Sequence, residues 1–176
     1  RNGSGKTVLM KCILGFLKPT RGEITVFGKQ IGRDCDFAPH TGMIIETPGF
    51  MDTESGLANL RYLRRLTAQN DAAISPQEAM KVVGLDPGNK KPVGKYSLGM
   101  RQRLGLAQAI MEGPRLLVLD EPMNGLDNQG VEDMRRLLLD FRSRGVTILL
   151  ASHNPLDVSL LCDQVFTMDG GILRRQ

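Results

Sequence analysis

Several short stretches of the 176-residue sequence hold side chains of the kinds that handle phosphate and magnesium. The first is Arg1-Asn2-Gly3-Ser4-Gly5-Lys6-Thr7. Glycines let backbone N–H groups turn inward around phosphate oxygens, a lysine balances their charge, and a hydroxyl can hold Mg²⁺. Gly3, Gly5, Lys6 and Thr7 fit the pattern G-x-x-x-x-G-K-[ST]. The pattern's first glycine would fall just before Arg1, so that residue and an N-terminal segment are expected to be absent from the chain. An apolar-rich segment, VLMKCILGFL, follows at once and fits a buried helix ended by Pro19. The N-terminal dipole and free amides of such a helix would face the anion.

The second stretch is LLVLDEP, a continuous apolar run of the kind found in a parallel strand buried on both faces. It delivers Asp120 and Glu121 to the C-terminal end of the strand, the edge at which open α/β sheets bind ligands. Asp120 suits Mg²⁺, directly or through water. Glu121 is then placed to accept a proton from an attacking water or to orient it. A third stretch, YSLGMRQRLGLAQAI, puts Ser97 and Gly99 at a helix start, with Ser97 as N-cap. A second buried run, VTILLAS from Val146 to Ser152, ends beside His153. A lone histidine after an apolar strand is ordinarily a capped or surface residue.

The elements that must position these residues alternate in type. GEITVFGK reads as a strand between glycines, and GMIIETPGF as a short strand leaving through Pro48-Gly49. From about Asp52 to Gly113 the texture is helical: Leu57, Leu60, Leu63 and Leu66 recur every three residues, and Ser75-Pro76 opens a helix that Gly84 closes. Between the two apolar runs, VEDMRRLLLDFRSR is an amphipathic helix stopped by Gly145, which gives a right-handed strand–helix–strand crossover. The tail VFTMDGGILRR reads as a hairpin turning at Asp169-Gly170-Gly171. The expected fold is α/β. Residues 1–50 and 114–176 form the core around a parallel sheet, and residues 51–113 form an inserted helical subdomain.

Composition narrows the function classes. The apolar share is 41% and the charged share 24%, which fits a globular domain and excludes a fibre or a disordered tail. No run approaches the roughly 18 apolar residues needed to span a bilayer. The net charge of +4 comes from basic residues interleaved with acids, the pattern of a solvated surface rather than of a nucleic-acid footprint. Cys12, Cys35 and Cys162 are widely separated and lack metal-ligand spacing, as expected of reduced thiols.

Taken in order, the stretches resemble the ATP-binding subunits of ABC transporters. The YSLGM segment with Arg101, Gln102 and Arg103 is similar to that family's signature, usually LSGGQ followed by a basic residue, Gln and Arg. Asn124-Gly125-Leu126-Asp127 is similar to its D-loop, and Ser152-His153 to its switch histidine. The resemblance covers essentially the whole chain. It implies a P-loop NTPase, RecA-like core, Mg²⁺-dependent ATP hydrolysis, and head-to-tail dimers, with a homodimer expected in the ATP state, in which each nucleotide is shared. Asn2, Gly3, Ser4, Gly5, Lys6 and Thr7 would then bind ATP. Ser97, Leu98 and Gly99 would reach the γ-phosphate on the opposite subunit, Asp127 would help pair the sites, and His153 would sense the γ-phosphate, with Glu121 and His153 as the catalytic residues. Thr7, Asp120 and Glu46 would hold the metal. The implied partners are a transmembrane permease subunit and a second nucleotide-binding subunit, with no nucleic acid, at the cytoplasmic face of the membrane. The family's adenine-stacking aromatic residue would lie upstream of Arg1.

The chain departs from the family at three places. Glu46 stands where a glutamine is usual; a carboxylate keeps the oxygens but loses the amide donor and adds charge near the γ-phosphate, so slower or more Mg²⁺-dependent hydrolysis is expected. Leu98 replaces Gly and Met100 replaces Gln in the signature, although the amide at position 98 survives. With IIETPGF, YSLGM and MNGLD, these departures resemble the bacterial exporter branch that includes bacitracin and lantibiotic self-protection ATPases. Two alternatives compete: a soluble ABC-type ATPase acting on nucleic acid or the ribosome, and a non-catalytic module in which ATP only joins two subunits. The roughly fifty residues between Glu46 and Ser97 leave no room for a long coiled coil, which argues against the first.

Overall fold

The two continuous apolar runs of the sequence, LLVLD and VTILLAS, become neighbouring parallel strands. In the computed structural model, which describes residues 3–46, 48–67 and 73–176, β3 (Thr41–Ile44), β4 (Leu116–Asp120) and β5 (Thr147–Ala151) form a sheet in the order β3-β4-β5. Met43 is opposite Val118, and Val118 is opposite Leu149. Around the sheet lie α1 (Lys6–Leu14), α2 (Gly56–Leu66), α3 (Pro76–Val82), α4 (Leu98–Ile110), α5 (Asn128–Ser143) and α6 (Pro155–Leu161). The α/β class expected from the sequence is therefore present, with α2, α3 and α4 all falling between residues 51 and 113. Among the described residues, no helix is long and apolar enough to cross a membrane.

Four expectations are corrected. First, the segment GEITVFGK is not one strand: β1 (Thr25–Val26) and β2 (Lys29–Gln30) pair antiparallel, with Val26 opposite Lys29. The chain turns between them at Phe27 (φ 50°) and Gly28 (φ 77°), a two-residue turn with both φ values positive. Second, α1 stops at Gly15 rather than near Pro19; Gly15 takes φ 94° and its N–H reaches the Cys12 carbonyl. Third, α1 is not buried all round, because only Met10 and Leu14 are buried while Val8 faces out.

Fourth, β5 is not buried on both faces as β4 is. Leu117, Val118 and Leu119 are fully buried between flanking elements. Ile148, Leu149 and Leu150 are only half-buried, and a cleft of about 630 Å³ lies between β5, α6 and the terminal hairpin of β6 (Phe166–Asp169) and β7 (Ile172–Arg175). That hairpin turns through Gly170-Gly171, as the sequence suggests.

Helix ends follow their cap residues. The Ser55, Ser75 and Ser97 hydroxyls accept from the backbone N–H of the third residue of α2, α3 and α4, and Glu78 completes a capping box with Ser75. In α2 the leucines spaced by three drift about 60° per step around a helix of 3.6 residues per turn. Leu60 is consequently buried, whereas Leu66 has rotated into solvent.

One continuous apolar cluster joins the helical stretch to the sheet, running from Leu60 and Met80 through Leu104 and Leu106 to Leu117, Leu119 and Leu138. Beside it, β3 and α4 come close at Gly42, where a Cβ would stand 1.9 Å from the Ala109 carbonyl oxygen of α4. Backbone meets backbone there, so neither side can yield cheaply. Gly42→Ala is expected to cost about 3 kcal/mol, at the top of the usual overpacking range, and to lower the urea midpoint. Gly49→Ala, where a Cβ meets nothing within 4 Å, should leave the midpoint nearly unchanged. Equal midpoints for the two variants would refute the close packing of α4 on β3.

Asp127 also has a structural task, since its Oδ1 accepts from the Gly130 N–H at 2.8 Å and caps α5. Asp127→Ala should destabilise the chain by about 1 kcal/mol, while Asp127→Asn should retain most of the cap. Chemical denaturation of both variants reads the difference, and equal losses would mean that charge rather than capping matters at this position.

Candidate functional site

The loop before α1 has the shape its glycines allow. Gly3 takes φ 77° and Gly5 φ 102°, a region that side-chain-bearing residues rarely adopt. The chain enters α1 directly after Gly5, so the first free amides of the helix open at the loop. Ser4 is buried, and its hydroxyl accepts from Lys6 Nζ at 3.3 Å. Asn2 lies outside the described residues.

Opposite this loop is the end of β4. Thr7 Oγ1 donates to Asp120 Oδ2 at 2.6 Å, bringing together a hydroxyl and a carboxylate separated by 113 residues in the chain. Both are hard oxygen donors. Magnesium is typically held by one or two carboxylates with substrate phosphates and waters, not by an all-protein cage. In keeping with that, no cluster of three or more potential metal-ligating side chains exists among the described residues. The donor set at Thr7 and Asp120 thus fits Mg²⁺ brought in with a phosphate ligand.

Immediately after Asp120 the backbone turns sharply. Glu121 takes φ 48°, a conformation that costs a residue with a side chain about 1–3 kcal/mol and that collects at functional sites. Its N–H still bonds the Ala151 carbonyl at 2.9 Å, which extends the β4–β5 ladder by one residue. His153, two residues beyond β5, points its Nδ1 at Glu121 Oε2 from 2.9 Å. The histidine side chain is 71% exposed and the glutamate 21%, so the pair sits at the surface rather than in the core.

Glu46 also has positive φ, at 56°. It follows β3 closely, and its Oε1 lies 2.6 Å from Lys11 Nζ on α1. Lys6, Thr7, Glu46, Asp120 and Glu121 all line one cleft of about 540 Å³. Leu98, Gln102 and Asn124 line it too, so part of the signature-like helix faces the same space.

The remaining expected residues take local roles. Ser97 caps α4, accepting from the Met100 N–H at 3.2 Å. Gly99 lies against the Gly125 carbonyl, and Leu98 covers Gly125 so closely that a Cβ there would come within 2.3 Å of the leucine. Arg103, part of the signature-like stretch, donates to the Val83 carbonyl and to Asp133, tying α4 to α3 and α5. With Gln129 and Arg103 donating to it, the Asp133 carboxyl is held below its ordinary range. Ser97, Gly99, Asp127 and His153 are not among the residues lining the Lys6–Asp120 cleft, which His153 meets only through its contact with Glu121.

Two participants were not legible beforehand. Lys11 had read only as part of the helix after the phosphate loop, and nothing in spacing links it to Glu46, which is 35 residues away. Pro48 had read as a loop residue, yet it packs where a Cβ on Gly105 of α4 would meet it at 2.7 Å.

Comparison with known proteins identifies the family. A family model described as ABC transporter matches residues 1–124. An uncharacterized ABC transporter ATP-binding protein, YybJ of Bacillus subtilis (strain 168), is 39% identical over 175 residues, covering 98% of this chain and 78% of that protein. The bacitracin transport ATP-binding protein BcrA of Bacillus licheniformis is 40% identical over 176 residues, covering 98% of this chain and 57% of BcrA. The lantibiotic transport ATP-binding protein SrtF of Streptococcus pyogenes is 36% identical over 173 residues, covering 98% and 74%. The chain therefore spans between about half and four fifths of the length of these relatives. Among solved structures, the dimeric bacterial ABC transporter cassette MJ0796 superposes with a TM-score of 0.85 at 20% identity, over 99% of this chain and 82% of that one. The fold of the Thr7–Asp120 cleft is thus that of an ATP-binding cassette, and the chain belongs to the ABC transporter family as its ATP-binding ATPase component.

Proposed function

We propose that this chain is the Mg²⁺-dependent, ATP-hydrolysing subunit of a bacterial exporter of peptide antibiotics or drugs. The observation that supports it most is a pair of contacts made by the two acids at the end of β4, both of which line one cleft: Asp120 with Thr7, and Glu121 with His153. The relatives named for bacitracin and lantibiotic transport favour export of such compounds. The partners are a transmembrane permease and a second nucleotide-binding subunit, a second copy of this chain in the ATP state, and nucleic acid is not among them. The subunit works at the cytoplasmic face of the membrane.

In this reading the amides of Gly3, Ser4 and Gly5, with Asn2, surround the β- and γ-phosphates, and Lys6 balances their charge. Thr7 and Asp120, with Glu46 nearby, hold the metal, which when bound neutralises charge developing on the transferred phosphoryl group. Glu121 orients the attacking water and takes its proton. His153 steadies the Glu121 carboxylate and faces the γ-phosphate. Ser97, Leu98 and Gly99 meet the γ-phosphate of the partner copy through a helix N-terminus, and Asp127 helps to register the two copies. The helical stretch 51–113 is the part that moves with nucleotide and passes the motion through the Glu46 segment to the permease.

The decisive variant is Glu121→Gln in the full-length subunit. Its steady-state turnover should fall by about 10²-fold or more, the usual worth of a positioned general base, while ATP binding by equilibrium dialysis persists. Lys6→Ala should instead lose ATP binding. A Glu121→Gln turnover within a few-fold of the unaltered protein would remove Glu121 from the role given to it.

A further inference from the structure

His153 is mostly exposed, and its ring touches Glu121 from a turn, so packing around the imidazole cannot be what fixes its position. The turn itself is anchored from behind. Asp157, the third residue of α6, is only 1% exposed. Its Oδ1 accepts from Arg135 Nε at 2.8 Å and from Nη2 at 2.5 Å, and its Oδ2 accepts from the Ser152 hydroxyl at 3.3 Å. Ser152 Oγ in turn accepts from the Asn154 N–H at 3.1 Å, and Asn154 Oδ1 caps α6 at the Leu156 N–H. The residues on both sides of His153 are thereby tied to a single buried carboxylate.

Arg135 is itself buried on α5, at 7% exposure, and its remaining amino group reaches Glu132. The Asp157 carboxylate beside it, followed by Glu132, holds the guanidinium still further toward its charged form. A buried pair of this kind is poor evidence for stability, because desolvation offsets much of the attraction. Its use must lie elsewhere, and a buried ionic contact is well suited to fixing one geometry among several of similar energy.

We propose that Arg135 and Asp157 are positioning residues which, through Ser152, hold His153 against Glu121. The pair reaches neither the cleft nor the proposed phosphate site; it acts on the direction in which the turn presents the imidazole. This inference rests on the assignment of His153 and Glu121 to the site, and it makes a claim about geometry that can be read without any turnover.

In spectra of the intact subunit a His153→Gln variant assigns the His153 imidazole resonances, and a His40→Gln variant assigns those of His40, which serve as an internal reference. Glu121→Gln should shift the His153 set, reporting the 2.9 Å contact. In the double variant Arg135→Met, Asp157→Leu, which removes both buried charges together, that shift should be lost while the His40 set stays in place. Should the double variant fail to fold, Ser152→Ala cuts the same path more gently and should reduce the Glu121-induced shift, and Ser152→Thr, which keeps the hydroxyl, should restore it. A Glu121-induced shift of unaltered size in the foldable variants would overturn the proposal. Steady-state kinetics on the same proteins separates the underlying reading: a several-fold loss in kcat with KM unchanged is expected, absent when His153 has already been replaced. Loss of the resonance coupling with turnover intact would uphold the positioning role and overturn the catalytic assignment of His153.

Discussion

Because Leu117, Val118 and Leu119 are buried on both faces and hydrogen-bonded to strands on both sides, β4 cannot slip by a residue without turning its whole side-chain set over. The two acids that follow inherit that fixity. Asp120 still pairs in register with Ala151, and Glu121 makes one more ladder bond before the chain turns at φ 48°. The strain at Glu121 is sustained by a strand that has nowhere else to go. Thr7 and His153 then approach from the first turn of α1 and from the end of β5, the elements on either hand, so the order of the strands fixes which side chains can meet.

The legible parts of the fold were those in which a residue's own chemistry dictates its conformation. Ser75-Pro76 with Glu78, Ser97, and Gly170-Gly171 each behave as their local patterns require. Apolar runs were also readable as strands, but a run records what a strand could bury, not what covers it. LLVLD and VTILLAS look alike, yet only the first is enclosed on both faces. The candidate site divides in the same way. Glycine, lysine, threonine and the two carboxylates were visible because phosphate chemistry demands those types at that spacing. The links Lys11–Glu46 and Arg135–Asp157 were invisible, since they join residues 35 and 22 apart through tertiary packing alone. Gly42 gave no sign of its contact with Ala109, because nothing local at that position calls for a glycine.

The departure at Leu98 gains a physical account from its neighbour. Gly125 has φ 77°, and the leucine side chain lies over it where any Cβ would collide. Leu98 and Gly125 therefore form one fitted contact between the start of α4 and the turn before α5. Gly99 lies on the Gly125 carbonyl in the same contact, and Asp127 begins α5 two residues later. On the reading that Ser97 and Gly99 serve one nucleotide and Asp127 registers the two copies, a bulky apolar residue at position 98 couples these two segments more stiffly than glycine could.

Charge at the cleft poses the last constraint. Glu46, Asp120 and Glu121 place three carboxylates along a wall that is proposed to receive a polyphosphate, against Lys6 at the start of α1. Like charges 4 Å apart cost about 1 kcal/mol in water and about 4 kcal/mol where the effective dielectric constant is near 20. Each acid has a different answer to this. Asp120 accepts the Thr7 hydroxyl, Glu121 faces His153, and Glu46 is met by Lys11. The Lys11–Glu46 pair is open to solvent on the glutamate side, so screening limits what it adds to stability. Its effect is local: with Lys11 against one oxygen, the carboxylate that stands where a neutral glutamine is usual presents less net charge to the phosphate. On the proposed reading, substituting Glu for Gln at that position is thus less disruptive here than the bare change in charge would suggest, because α1, the helix that begins with Lys6, also supplies the compensating lysine.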